Sequence, residues 1–258
     1  DWVRAEGTTL GADNGLGVAT IMSILESSAI VHPAIEALFT VDEETGMTGA
    51  LGLKGGVLSG EILLNLDTEN DTEIDIGCAG GIDVTATQSY SAEPCPFDML
   101  SFELTVKGLH GGHSGMDIHK GFANANKVMN RLLYKAYQQY GLRIASLLGG
   151  SLRNAIPRES VAKVVVVKDK ASSFVQNLTQ LAQDIKLEFA TTEPAMEIVV
   201  RQTDAAYATV VPVEVQENLI NSVYAALNGV YRVSADFEDL VETSNNIAKV
   251  EVGGEKVS

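Results

Sequence analysis

The sequence has 258 residues, of which 45% are hydrophobic, and its 18 basic and 34 acidic residues leave a formal net charge of −16. This composition allows one large or two moderate globular domains and excludes the disordered and fibrous classes. The negative charge disfavours nucleic acid and anionic membranes as partners. The sequence contains no run of about 18 apolar residues, which is the pattern that would predict a membrane span.

The cysteines and the two ends of the chain bear on its cellular context. Cys78 and Cys95 are too few for a disulfide framework, which favours two free thiols in a reducing cytosol. The chain starts at Asp1 without the basic and apolar regions of a signal peptide. Residues 251–258 are typical of a strand that enters a turn without a return strand. We therefore expect an internal piece of a longer cytoplasmic protein.

The first 80 residues alternate between helical and strand-like patterns. In chain order these are a helical spacing of apolar residues, an apolar run, a short helical stretch and a second apolar run, over residues 14–27, 34–41, 47–54 and 61–66. Asp13 and Asn14 stand where the N-cap of the first helix is expected. Helices alternating with apolar runs predict an α/β layer with a parallel sheet.

The pattern changes near Gly80 and Gly81, where we place a domain boundary. Strand-like segments follow at 82–89, 101–107, 143–149, 160–167, 195–201 and 246–252, and helical ones at 121–139, 171–188 and 213–228. Strand pairs that alternate with helices predict an α+β, ferredoxin-like layer with helices on one face of an antiparallel sheet.

Acidic residues occupy equivalent positions in the first region. Asp13 precedes a helix, Glu43 and Glu44 follow the first apolar run, and Asp67 follows the second. Ligands gather at the carboxyl ends of strands in an open α/β sheet, and crowded carboxylates repel one another unless cations neutralise them. A metal cluster is one interpretation. A plain N-cap and solvated turn residues are the other.

Several strings resemble those of the zinc metallopeptidases that include carnosinases, aminoacylases and bacterial dipeptidases. In the first region these strings are TLGADNG at 9–15, TVDEETG at 40–46 and NLD at 65–67. The strings GCAGGID at 77–83, GGHSGMDIH at 111–119 and LRNAIPRE at 152–159 are similar to those of the bacterial aminoacyl-histidine (Xaa-His) dipeptidases. The resemblance extends over nearly the whole chain.

This resemblance implies a site with two divalent metal ions, in the first instance Zn²⁺, with Mn²⁺ or Co²⁺ as alternatives. Asp13 matches the carboxylate that bridges the two ions, and Glu44 and Asp67 match terminal ligands of one ion each. Glu43 matches the general base that takes a proton from the attacking water.

The resemblance also implies roles for the second region. His113 matches a histidine that stabilises the oxyanion, although a surface-loop histidine is the alternative. Asn154 matches a substrate-binding position, with a simple turn asparagine as its alternative. We expect His32, His110 and His119 to be structural or exposed to solvent.

The implied protein is a homodimeric, cytoplasmic dipeptidase that hydrolyses small peptides of the Xaa-His type, such as carnosine. Residues 1–80 correspond to part of the catalytic metal-binding domain, and residues 81–258 to a lid and dimerisation domain truncated at its C-terminus. Alternatives are a related tripeptidase, aminoacylase or desuccinylase, or a chain that is itself a non-catalytic lid module. Because the two histidine ligands of the family have no counterpart in this sequence, we expect the isolated chain to be inactive.

Overall fold

The computed structural model describes residues 6–7, 13–43, 46–68 and 72–258. The chain divides into two units, Asp1–Gly80 and Gly81–Ser258. The described part of the first unit contains helices α1 (Gly15–Glu26) and α2 (Thr48–Leu51).

Helix α1 begins where its N-cap pattern predicts. The Asn14 side-chain oxygen accepts a hydrogen bond from the backbone N–H of Gly17 at 2.8 Å and so satisfies one of the free donors of the first turn. A Cβ atom on residue 17 would lie 2.6 Å from Asn14 Nδ2, so a larger residue there would push the Asn14 side chain out of its capping position. The predicted helix at 14–27 is therefore confirmed.

The two apolar runs of the first unit are not paired as predicted. Residues 34–41 and 61–66 form no strand within the described part of the chain, and Ile62, Leu63 and Leu64 are 84%, 79% and 79% exposed. Strands of a parallel sheet are covered on both faces, and these side chains have no such cover. The parallel pairing expected for these two runs is thus not observed.

The second unit is built from three helices and eleven strands. The helices are α3 (Ala125–Tyr140), α4 (Ala171–Glu188) and α5 (Val213–Ala225). The strands are β1 (Gln88–Ser89), β2 (Glu93–Pro94), β3 (Met99–Lys107), β4 (Arg143–Gly149), β5 (Ser160–Val167), β6 (Glu197–Thr203), β7 (Thr209–Val210), β8 (Gly229–Val233), β9 (Val241–Asn245), β10 (Val250–Gly253) and β11 (Lys256–Val257). Single 3₁₀ turns occur at Ile118–Lys120 and Lys168–Lys170.

Seven of these strands form one antiparallel sheet. Their order is β1-β11-β10-β4-β5-β3-β6, so β3 lies between β5 and β6. Helix α3 contacts β3, β4 and β5, while α4 contacts β5 and β6 and α5 contacts β4. The predicted mixed α/β fold class, with helices against an antiparallel sheet, is confirmed.

Alternation along β3 shows how the core of the second unit forms. Phe102, Leu104 and Val106 have no exposed surface, whereas the intervening residues are partly exposed. Successive side chains of a strand point to opposite faces, so these three enter the core beneath the helices. Each such buried side chain contributes about 1.5–3 kcal/mol through removal of apolar surface from water.

The C-terminal segment differs from its prediction. Strand β11 returns from β10 as a two-residue hairpin and also pairs with β1, so the expectation of no return strand is wrong. Gly254 and Glu255 form the turn with φ angles of 56° and 61°. Positive φ at both central residues matches the twist of a two-residue hairpin. Such turns usually have glycine at the second position, where this sequence has Glu255, so the turn was not recognised in the sequence.

For the remaining elements, the agreement between predicted and observed bounds depends on the length of the helix or strand. Helix α4 has its predicted bounds, whereas only Gln88–Ser89 of the predicted strand 82–89 is paired. The hairpin of β8 with β9 and the pairing of β2 with β7 were not predicted. Within the described residues, no helix combines the length and apolar character needed to cross a membrane.

A single lysine joins α3 to the end of α5. Lys127 Nζ donates hydrogen bonds to the carbonyl oxygens of Val223, Tyr224 and Ala226 at 2.8, 3.1 and 2.8 Å. These carbonyls lie in or just after the last turn of α5, where helix carbonyls have no partner within the helix and the partial charge is negative.

We expect Lys127→Met to lower the free energy of unfolding by about 1–3 kcal/mol, because carbonyls at this end of α5 lose their donor. The exposed Lys135 lies on the same helix, and Lys135→Met serves as the control with little expected effect. Urea unfolding of the two variants measures the difference. Equal stability of both variants would contradict a capping role for Lys127.

Candidate functional site

Asn14 brings two of the predicted metal ligands to the same end of the first unit. Its side-chain nitrogen donates a hydrogen bond to the Leu66 carbonyl oxygen at 2.8 Å, while its oxygen caps α1. Asp13 precedes Asn14, and Asp67 follows Leu66 and donates its backbone N–H to Asn65 Oδ1 at 3.0 Å. Both carboxylates are exposed at the junction that Asn14 holds.

Glu43 lies in a turn that Asp42 organises. The Asp42 carbonyl accepts the Met47 N–H at 2.6 Å, and its carboxylate accepts the Thr48 hydroxyl at 2.8 Å. Asp42 has a φ of 64°, and the Glu43 side chain is exposed. The other predicted residue of this turn, Glu44, lies outside the described residues.

The carboxylates suit a divalent cation by their chemistry, since hard cations prefer oxygen ligands. In the described ranges, however, no three His, Cys, Asp or Glu side chains are grouped closely enough to hold one ion. The structure therefore brings together the segments of Asp13 and Asp67 but does not assemble a metal centre from these residues.

In the second unit, Asp117 shapes the glycine-rich loop that carries His113. Its carboxylate accepts the His113 backbone N–H at 2.7 Å and pairs with Lys120 Nζ at 2.6 Å. The hydrogen bond from Lys120, followed by that from the His113 N–H, holds the pKa of Asp117 below its usual range. Gly112 has a φ of 122°, and a Cβ there would lie 2.6 Å from Asp117 Oδ2. Only glycine fits this approach.

The His113 ring is oriented by its own loop. Its Nδ1 accepts hydrogen bonds from the backbone N–H groups of Gly115 and Met116 at 3.1 and 3.2 Å. A nitrogen that accepts two N–H groups carries no proton, so these bonds assign the neutral ring a proton on Nε2. The exposed side chain can therefore present one N–H donor to a ligand.

Asn154 lies beside the His113 loop. Its carbonyl oxygen accepts the Ser114 N–H at 2.8 Å, and the next residue, Ala155, forms a β-bridge with His113. The Ala155 carbonyl in turn accepts the Asn246 side-chain N–H at 2.8 Å. The structure thus places the two predicted residues of the second unit, His113 and Asn154, on adjacent exposed segments.

The remaining histidines have other surroundings. His110 Nδ1 lies 3.0 Å from the buried Glu193 carboxylate, and the ring stacks on Phe122. The His32 Nδ1 lies 2.7 Å from the Pro33 carbonyl oxygen, and His119 is exposed.

The organising roles of Asp117 and Glu193 were missed in the sequence, whereas Asn14 was expected as an N-cap but not as the partner of the Leu66 carbonyl. Asp117 lies inside a recognised string, so its proximity to His113 was the available signal. Glu193 had none, because it contacts His110 across 83 positions of the chain.

Comparison with known proteins agrees with the sequence motifs. Residues 99–193 match the family model described as a peptidase dimerisation domain. The cytosol non-specific dipeptidase of Escherichia coli K12 is 40% identical over 250 residues, which cover 97% of this chain and 51% of that protein.

A solved structure has the same fold. The aminoacylhistidine dipeptidase of Vibrio alginolyticus is 42% identical and superimposes with a TM-score of 0.79, covering 99% of this chain and 52% of that one. The chain spans about half the length of these relatives. It is therefore a homologue of the aminoacylhistidine and cytosol non-specific dipeptidases, with a peptidase dimerisation domain at residues 99–193.

Proposed function

We propose that this chain is part of a metal-dependent dipeptidase that acts on Xaa-His dipeptides. The observation that carries the proposal is the similarity of 97–99% of the chain to two dipeptidases at 40–42% identity. The junction held by Asn14 and the oriented His113 ring add chemical support from the two units separately.

The carboxylates of the first unit would hold two divalent ions. Asp13 would bridge them, with Asp67 and Glu44 as terminal ligands, and Zn²⁺ is the first choice with Mn²⁺ or Co²⁺ as alternatives. Two such ions, when bound, acidify a water molecule and polarise the scissile carbonyl. The residues present fit this role in that they offer oxygen donors and that Asn14 ties the Asp13 and Asp67 segments together.

Chain residues would move the proton and bind the substrate. Glu43 would take the proton from the attacking water and pass it to the leaving amine. His113 would donate its Nε2–H to the oxyanion, and Asn154 would bind the peptide. The turn organised by Asp42 supports the exposed placement that Glu43 needs to reach a water molecule.

The dimerisation-domain match supports a homodimer, and the name of the E. coli relative supports a cytoplasmic location. The same relative is named non-specific, so broad dipeptide specificity is the second candidate function. Tripeptidase, aminoacylase and desuccinylase activities, and a purely structural lid, remain as further alternatives.

A dipeptide panel tests the activity directly. The full-length protein should hydrolyse Xaa-His dipeptides, and a chelator should abolish the reaction because the ions activate the water. Release of free amino acids measures the rates. Similar rates for all dipeptides would favour the broad specificity, and no hydrolysis of any peptide would favour a structural lid.

The adjacent acids should respond differently to substitution. In the full-length enzyme, Glu43→Ala should lower kcat at least ~10²-fold with normal metal content, because only the proton acceptor is lost. Glu44→Ala should instead lose metal. Steady-state kinetics and elemental analysis of the two variants measure the difference. Two full ions and full activity in both variants would contradict the assignment.

His113→Ala should lower kcat about 10²–10³-fold and change KM less, because an oxyanion donor acts mainly in the transition state. His119→Ala is the matched control, since His119 is an exposed histidine of the same loop region. Initial rates over a range of dipeptide concentrations separate kcat from KM. An unchanged kcat would contradict the oxyanion role and favour the alternative that His113 is a surface-loop histidine.

A further inference from the structure

Both ends of the loop that carries His113 are bonded to one buried carboxylate. Glu193 Oε2 accepts the His110 backbone N–H at 2.8 Å and lies 3.0 Å from His110 Nδ1. Its other oxygen, Oε1, accepts the Ala123 N–H at 2.9 Å. The base of the loop, from residue 110 to residue 123, is therefore closed by a single side chain.

The surroundings of Glu193 make this contact specific. Its side chain has no exposed surface, and burial of a carboxylate is costly unless hydrogen bonds compensate for lost water. The three contacts with the loop provide that compensation. The His110 ring also stacks on Phe122, with centroids 5.0 Å apart and planes at 12°, so the loop ends touch each other as well.

Further hydrogen bonds within the loop hold the backbone and the ring of His113. Asp117 holds the His113 backbone N–H, and Gly115 and Met116 hold ring atom Nδ1. These bonds orient the ring within the loop, and the bridge of His113 with Ala155, together with the Ser114 N–H bond to the Asn154 carbonyl, attaches the middle of the loop to a neighbouring segment. Glu193, which lies between α4 and β6 in the chain, fixes the two ends of the loop.

We propose that Glu193 is a positioning residue that sets the location of the His113 Nε2–H donor through the base of this loop. The proposal rests on the oxyanion role proposed for His113. Catalysis is sensitive to such placement, since a displacement of about 1 Å can reduce a rate ~10²-fold. Glu193 itself is buried and touches no substrate.

The test uses Glu193→Gln in the full-length protein. The amide keeps one oxygen for Ala123, but its N–H₂ group takes the place of Oε2 opposite His110. The bond from the His110 backbone N–H is then lost, and the contact with Nδ1 is kept only when that ring nitrogen accepts, while the shape changes little. We expect kcat for an Xaa-His dipeptide to fall about 10- to 100-fold, with a smaller change in KM.

A matched control separates positioning from general stability. Gln216 is also completely buried in the second unit, and it bonds the Ile144 N–H and the Leu142 carbonyl, far along the chain from the His113 loop. Gln216→Met removes these bonds and should lower thermal stability while leaving kcat within about twofold of the parent. If both variants lost kcat in proportion to their stability, the positioning role would be overturned.

A double-mutant cycle tests whether Glu193 acts through His113. In a His113→Ala background, Glu193→Gln should have little further effect on kcat, because the displaced donor is already absent. An equally large loss in both backgrounds would show action by another route and overturn the proposal.

Hydrogen exchange distinguishes failure of this proposal from failure of the function proposed for His113. Glu193→Gln should accelerate amide exchange at Gly115 and Met116 more than tenfold, while exchange at Ile144 stays unchanged. Unchanged exchange in the loop would overturn the positioning role. Faster exchange in the loop with an unchanged kcat would overturn the role of His113 and, with it, the catalytic purpose of the contact.

Discussion

Strand β3 is hydrogen-bonded along its length to β5 on one side and to β6 on the other. Its direction at Lys107 is thereby set by two neighbours, and the chain leaves the sheet at Gly108, where φ is 75° and the Ala195 carbonyl oxygen leaves no room for a Cβ. The loop that follows carries His113 and leads into α3, which packs on the same sheet. The candidate donor thus sits on a loop with both ends attached to the core of the second unit.

Buried polar side chains complete this framework at places where the regular elements stop. Gln216 pairs with Ile144 N and the Leu142 carbonyl at 2.7 and 2.8 Å. Asn124 caps α3 with its oxygen, while its nitrogen bonds Asn228 Oδ1 and Asn246 Oδ1. A buried polar group without a partner costs about 1–3 kcal/mol, so each of these side chains specifies one arrangement of segments distant in the chain.

The candidate residues of the two units are held by different kinds of contact. In the second unit, long-range bonds support the exposed His113 and Asn154, because Glu193 and Asn246 are distant in sequence. In the described part of the first unit the exposed apolar runs contribute little packing, and the bond from Asn14 to the Leu66 carbonyl ties the Asp13 and Asp67 segments.

The sequence by itself determined the local features of this protein. The repeat of apolar residues in α4, the N-cap at Asn14 and the alternation along β3 depend on neighbours a few positions apart, and the motif strings identified the dipeptidase relatives. Only the tertiary structure decided which distant groups meet. The carboxylate of Glu193 reaches His110 and Ala123, β11 returns to β10 and β1, and the runs 34–41 and 61–66 stay unpaired within the described residues. Spacing along the chain encodes periodicity, whereas these contacts depend on the free energy of packing and hydrogen bonding between segments whose separation the chain does not set.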